Sequence, residues 1–153
     1  MLAATASPAF ARNETSHLRV TASVIANCRI SSPIALNFGT YGATNERGRA
    51  LKAKAKALEI ACTRGMNPVT IGLSNGRHFE KNTRHMIGAH RDDVAYQIYI
   101  NAKRKVIWNE TNMVTYVPRS DAPKEINMFG EVPGKQHLPP GRYHDVLVAT
   151  VNF

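Results

Sequence analysis

Leu18-Arg19-Val20-Thr21-Ala22-Ser23-Val24-Ile25-Ala26-Asn27-Cys28 decides how this chain is read. Every even position is apolar or small: Leu18, Val20, Ala22, Val24, Ala26 and Cys28. Side chains of a β-strand point alternately to its two faces, so period two over this length predicts a half-buried strand. The stretch begins shortly after Ala9-Phe10-Ala11, a small-x-small triplet of the kind that ends an export signal. An exported chain whose mature end is a long apolar-faced strand can offer that strand to something else.

Residues 1–11 carry that triplet and Pro8, but not the basic start or most of the apolar run of a signal peptide. They read as the remnant of one; an ordinary Ala-rich terminus is the other reading. Export bears on the two cysteines, Cys28 and Cys62. An even count in an exported chain argues for one disulfide between them. A loop of that span stabilises a fold by roughly 3–4 kcal/mol in the chain-entropy treatment. Two buried free thiols are the alternative. No Cys-x-x-Cys pair points to a metal.

The 153 residues suit one domain with a sizeable core. Hydrophobic content of 43% against 20% charged is a globular composition. No run approaches the roughly 18 apolar residues that span a bilayer. The net charge of +9 would suit an anionic partner. However, Lys and Arg are spread from Arg12 to Arg142 without an aromatic–basic motif, so nucleic acid is not expected as a partner and a solvated basic surface is.

Strands dominate the remaining chain. Ile34, Leu36 and Phe38 share one face before the Gly39–Gly42 break. Residues 51–62 combine helix-favouring Ala, Lys and Leu with strict Lys/Ala alternation. Their even face changes from Lys52, Lys54 and Lys56 to Leu58, Ile60 and Cys62, which suits a strand running from a lysine-guarded edge into the core. Val69–Leu73, Val94–Ile100, Val106–Trp108, Ile126–Val132 and the closing Tyr143–Phe153 also read as strands. Residues 77–93 are polar and rich in His and Arg, with no strand read there, and 109–125 read as loop. Seven or eight short strands between Gly/Pro turns predict an all-β sandwich.

Chemistry is sparse. Asp92 and Asp93 are adjacent, and adjacent strand residues face opposite ways, so they do not form an acid/base pair. His85 and His90 bracket a loop without a carboxylate or Cys that completes a metal-ligand pattern. No nucleophile elbow and no glycine-rich phosphate loop occurs. Asn13-Glu14-Thr15 and Asn109-Glu110-Thr111 fit the glycosylation sequon, which matters only in a eukaryotic secretory route. Catalytic residues, cofactor, metal and small-molecule substrate are therefore not expected. The strand ends say more. Leu147, Ala149, Val151 and Phe153 share a face of a strand that runs to the last residue. Together with a free amino-terminal strand this suggests a sandwich one strand short. A complete sandwich, its first strand paired within its own chain, fits the alternation equally.

The order of motifs favours the first. The Val20–Cys28 strand is followed by Leu36-Asn37-Phe38-Gly39-Thr40-Tyr41 and Ile60-Ala61-Cys62-Thr63-Arg64-Gly65. Arg84-His85-Met86, Tyr96-Gln97-Ile98-Tyr99-Ile100 and Trp108 come next. Phe129-Gly130-Glu131-Val132-Pro133-Gly134-Lys135-Gln136 and Gly141-Arg142-Tyr143-His144-Asp145 close the series. In this order, over about residues 18–153, the chain resembles the spore coat protein U domain family, which includes pilins of archaic chaperone–usher pili. It departs from that family in Asn109-Glu110-Thr111-Asn112, where a Gly/Asp-rich turn is usual, and in its strong basic charge.

The resemblance implies an incomplete immunoglobulin-like β-sandwich completed by a donor strand from another subunit. A periplasmic chaperone would lend the strand first, an outer-membrane usher would take part in assembly, and the amino-terminal segment of a neighbouring pilin subunit would replace the chaperone. Residues 12–25 would be the donor segment, with Leu18, Val20, Ala22 and Val24 inserted, and 26–153 the sandwich. Leu147, Ala149, Val151 and Phe153 would face the chaperone or donor groove. The chain would pass through the periplasm to the cell surface and serve adhesion and biofilm as a pilus subunit. A secreted coat or matrix protein of the same fold that does not polymerise, and a periplasmic binding module or enzyme, are the competing expectations.

Overall fold

In the computed structural model the described residues are 19–31 and 35–153. Residues 1–11, expected to be the remnant of an export signal, lie outside them, as do Leu18 and Ile34. Nine strands and one helical turn follow in order. They are β1 (Cys28–Ser31), α1 (Ala43–Glu46), β2 (Leu51–Cys62), β3 (Val69–Leu73), β4 (Phe79–Glu80) and β5 (Thr83–Ile87), then β6 (Asp93–Tyr99), β7 (Val114–Tyr116), β8 (Lys124–Val132) and β9 (Ala149–Asn152). A six-stranded sheet, β1-β2-β8-β6-β5-β4, faces a three-stranded one, β7-β3-β9. Every pairing is antiparallel.

β2 shows how one strand changes its buried face. Its register with β8 shifts between Lys56 and Leu58. A residue inserted there rotates the alternation, as a β-bulge does. Before the bulge Lys52, Lys54 and Lys56 point outward; after it Leu58, Ile60 and Cys62 are buried. Outward lysines are then used across the strand pair. Lys52 lies 3.7 Å from Glu131, Lys56 lies 2.6 Å from Glu125, and Lys54 stands 5.7 Å above the Phe129 ring.

The core joins both sheets. Leu58, Ile60, Val94, Ile98, Ile126 and Val132 of the larger sheet meet Val69 and Ile71 of the smaller. Trp108, fully buried, lies between them and donates its indole N–H to Ile71 O at 2.8 Å. The disulfide Cys28–Cys62 joins directly opposed residues of β1 and β2, with Cα atoms 4.1 Å apart.

Several expectations need correction. Residues 19–27 form no strand, and their apolar side chains are exposed rather than half-buried. Residues 35–38 are not a strand either; Leu36 and Phe38 fold onto the core as an irregular segment. Residues 77–93, where no strand was expected, contain β4 and β5, and 109–125, expected to be loop, contain β7. Val106–Trp108 makes only an isolated bridge, Tyr99 to Ile107. The closing strand is shorter than 143–153, with its ladder restricted to β9 and a separate bridge at His144.

Gly130 of β8 lets the 35–38 segment lie flat on the sheet. A Cβ there would stand 2.5 Å from Leu36 Cδ2 and 2.6 Å from the Phe38 ring. Overpacking of this kind costs roughly 1–3 kcal/mol. Gly130→Ala should lower the melting temperature by several degrees, whereas Gly141→Ala, whose nearest neighbour would be Tyr143 at 3.9 Å, should leave it unchanged. Thermal melts of the two variants beside the parent check this; equal melts would mean that the segment is not packed against Gly130.

Candidate functional site: an open sheet edge and an unpaired segment

The closing strand has a neighbour on one side only. β9 pairs with β3 from Thr70↔Asn152 to Leu73↔Ala149, and among the described residues no strand lies along its other edge. Backbone N–H and C=O groups along such an edge are free to pair with another strand. Leu147, Ala149, Val151 and Phe153 share the inward face of this stretch. Leu147 and Val151 reach the core, Ala149 is exposed, and Phe153 is 64% exposed. Inward-facing residues of a closed sandwich are normally covered, so their exposure marks an opening.

A cleft lies on the approach to this strand, with no residue of β9 among its lining. Leu36, Phe38 and Tyr41 form one wall of it, with Phe38 edge-on to Tyr96 at a ring separation of 6.1 Å. Tyr41 fixes its end, donating to Pro133 O at 3.2 Å and accepting from Gln136 N at 2.9 Å. The cleft lies between residues 35–41 and 138–144, the approach to β9, with a volume of about 1150 Å³. Met86, Val94 and Val132 form its floor, and Leu138 and Tyr143 line the far side. Its floor is apolar, while Glu46, Arg142 and His144 stand among its lining residues.

The bare edge is held in place by buried polar groups. Ser74 donates from its N–H to Val148 O at 2.8 Å, and its hydroxyl oxygen accepts from Val148 N at 2.8 Å. Ser74 O in turn accepts from Arg84 Nη2 at 2.7 Å and Nε at 3.2 Å. Arg84, fully buried in β5, also donates to Trp108 O at 2.7 Å and Gln97 Oε1 at 3.2 Å. Its contacts are neutral oxygens, and burial lowers its affinity for a proton below the ordinary arginine value. Asp145 fixes the strand's entry. Its carboxylate accepts from Tyr96 Oη at 2.6 Å, from Arg77 N at 3.0 Å and from Val146 N at 2.8 Å. Burial, followed by the bond to Asp145, raises the Tyr96 pKa well above its ordinary value. A side chain at Gly76, which has φ of +83°, would collide with the Asp145 carboxylate.

The candidate donor residues lie elsewhere on the molecule. Val20 and Val24 are 85% and 84% exposed, and Ala22 between them is exposed. Ile25, on the opposite parity, is 81% exposed and was not among the expected inserted residues. The segment leaves the fold beside the disulfide. Asn27 N donates to Thr63 Oγ1 at 3.2 Å and Thr63 N to Asn27 O at 3.0 Å. Arg84 and Asp145, which sequence reasoning quoted only as motif members, are the anchors of the edge. A lone Arg on the inward parity of β5 was the available signal.

The other titratable groups stay apart from the groove's apolar floor. His85 Nε2 lies 3.5 Å from Asp93 across β5 and β6. Among the described residues no three His, Cys, Asp or Glu side chains gather as metal ligands would.

A profile of the Spore Coat Protein U domain family matches residues 14–150. "Protein U" of Myxococcus xanthus is 30% identical over 161 aligned positions, covering 96% of this chain and 89% of that protein. The chaperone–tip adhesion subunit pre-assembly complex CsuC–CsuE, from archaic chaperone–usher Csu pili of Acinetobacter baumannii, contains a chain that superposes with a TM-score of 0.56 at 22% identity. The match covers 85% of this chain and 40% of that one, so this chain spans less than half of its length. The P pilus rod subunit PapA superposes with the same TM-score of 0.56 at 12% identity, over 82% of this chain and 97% of that one. At these identities the likeness is one of fold: an incomplete immunoglobulin-like sandwich. None of these names describes an enzyme.

The Tyr96–Asp145 bond makes stability depend on alkaline pH. A tyrosine whose folded pKa is raised contributes fully below the unfolded value of 10.0 and loses that contribution as pH rises above it. Between about pH 9 and about pH 11 the parent should therefore lose more melting temperature than Tyr96→Phe. Parallel loss in both would show that Tyr96 does not titrate with unfolding.

Proposed function

We propose that this chain, which belongs to the Spore Coat Protein U domain family, is a structural subunit of a bacterial surface pilus assembled through the chaperone–usher route by donor-strand exchange. One observation carries this reading. An unpaired segment with exposed Val20 and Val24 occurs in the same chain as a sheet edge, β9, that has no strand beside it among the described residues. Each feature needs a partner of the kind the other supplies. Strand addition at such an edge gains affinity from backbone hydrogen bonds and specificity from alternate side chains. Burying Leu18, Val20 and Val24 would contribute about 4–9 kcal/mol at roughly 1.5–3 each.

In this reading residues 12–25 are the donor segment and 26–153 the sandwich. Residues 1–11 are the remnant of the export signal. Leu147, Ala149, Val151 and Phe153 face the groove. Before assembly a periplasmic chaperone occupies the edge, and at the outer-membrane usher the donor of a neighbouring pilin replaces it. Contacts of this head-to-tail kind do not close on themselves, so they build a filament. The filament stands on the cell surface and serves adhesion and biofilm.

A second reading, a secreted coat or matrix protein of the same fold that does not polymerise, draws on the family's description as a spore coat protein. The two readings part on assembly. The chain beginning at Arg12 should form heat-resistant ladders in detergent gels, and Val20→Asp/Val24→Asp should abolish them. Unchanged ladders in the double variant, or a stable monomer of the parent by light scattering, would favour the coat reading.

A further inference from the structure

Asn75 is the one asparagine of the sequence that precedes a glycine. It lies half-buried in the turn from β3 to β4. The hydrogen bonds of that turn come from its neighbours Ser74, Gly76 and Arg77, and among the described residues none involves the Asn75 side chain. Gly76 cannot carry a side chain here, because its φ is +83° and a Cβ would collide with the Asp145 carboxylate. Its N–H is held only by Ser74 Oγ at 3.4 Å, an acceptor that Val148 N already engages at 2.8 Å. A contact of 3.4 Å lies beyond the usual range of an N–H···O bond. The turn therefore places an unshielded peptide nitrogen beside an unrestrained carboxamide.

Such a pair reacts with itself. Gly76 N attacks Asn75 Cγ, and a bond forms between them as the bond from Cγ to Nδ2 breaks. The Gly76 amide proton leaves with the departing nitrogen as ammonia. Water then opens the cyclic imide. Addition at the side-chain carbonyl gives aspartate. Addition at the main-chain carbonyl gives isoaspartate, in which the main chain runs through the former side chain and gains a carbon.

The place of that added carbon decides its effect. On one side of it Ser74 exchanges two hydrogen bonds with Val148, at 2.8 Å each. On the other side Arg77 N donates to the Asp145 carboxylate at 3.0 Å. Both partners belong to the approach to β9, where their own spacing is unchanged. A longer main chain between Ser74 and Arg77 shifts one anchor against the other, so the two can no longer be matched together.

We propose that Asn75-Gly76 is a self-modification site, at which conversion to isoaspartate releases the approach to β9 from the β3–β4 turn. The chemistry needs only water, so it runs in each copy from the time the chain is made. One extension rests on the strand-exchange reading: a subunit that ages before its groove is filled accepts a donor less tightly.

Peptide mapping of the full chain, held folded for days in mildly alkaline buffer, tests the proposal. Cleavage after Arg64 and Arg77 frees residues 65–77, which hold Asn67 and Asn75. Asn67 precedes Pro68, which has no amide hydrogen and cannot close the imide, so amide loss in this peptide reports Asn75 alone. The peptide should gain the mass of an amide-to-acid exchange and become a substrate for isoaspartyl carboxyl methyltransferase. In the converted chain the Arg77 and Val148 amides should exchange hydrogen roughly tenfold faster than in fresh protein. Asn75→Ala, treated in the same way, should keep its mass and its original exchange at both amides. None of these readouts requires strand exchange, so their failure is distinct from failure of that reading. A chain whose 65–77 peptide stays amidated, or a converted chain whose Arg77 and Val148 amides exchange as before, would overturn the proposal.

Discussion

Hydrogen bonding along β9 is satisfied on one side by β3, and the other edge is bare among the described residues. Much else in the molecule can be understood from that imbalance. A sandwich lacking one strand leaves inward side chains uncovered, which is why Phe153 and Ala149 are exposed on the core-facing parity. It also leaves the 35–41 segment without a strand to pair with. Leu36 and Phe38 are held instead by contact with the sheet over Gly130.

A bare edge strand would fray if backbone pairing alone held it. Here it is fixed from behind. Asp145 ties its entry to Tyr96 and the Arg77 amide, and Ser74 exchanges two hydrogen bonds with Val148. Arg84 underlies Ser74 and joins that turn to Trp108 and the six-stranded sheet. Buried polar networks are expensive unless every member is satisfied, and no buried side-chain N or O among the described residues lacks a partner. The network therefore holds the bare edge in shape without a strand beside it among the described residues. The disulfide serves the other end: it joins Cys28 to Cys62 where the unpaired segment leaves the sheet.

Alternation read the covered strands well. β2, β3, β6 and β8 lie where apolar residues recur every second position, and even the face change in β2 was visible as a switch from lysines to Leu58, Ile60 and Cys62. β5 was hidden because its most buried residue is Arg84, a charge on the parity where an apolar side chain is expected. β7 was hidden by its brevity, Val114–Tyr116 between polar neighbours. The alternation of 18–28 carries no information about where its partner lies: the described part, 19–27, has no strand partner among the described residues. The bonds of Asp145 could not be read at all, since they join residues 68 and 49 positions apart.

The central claim is that the free edge of β9 accepts a strand from another copy. Hydrogen exchange at the backbone amides of residues 149–153 tests it most directly, measured on the chain beginning at Ala26 with and without a synthetic peptide of residues 12–25. The account expects the edge-facing amides to exchange freely in the isolated sandwich and to become protected when the peptide binds, with those paired to β3 little changed. Equal exchange with and without peptide, at concentrations well above that of the protein, would contradict it.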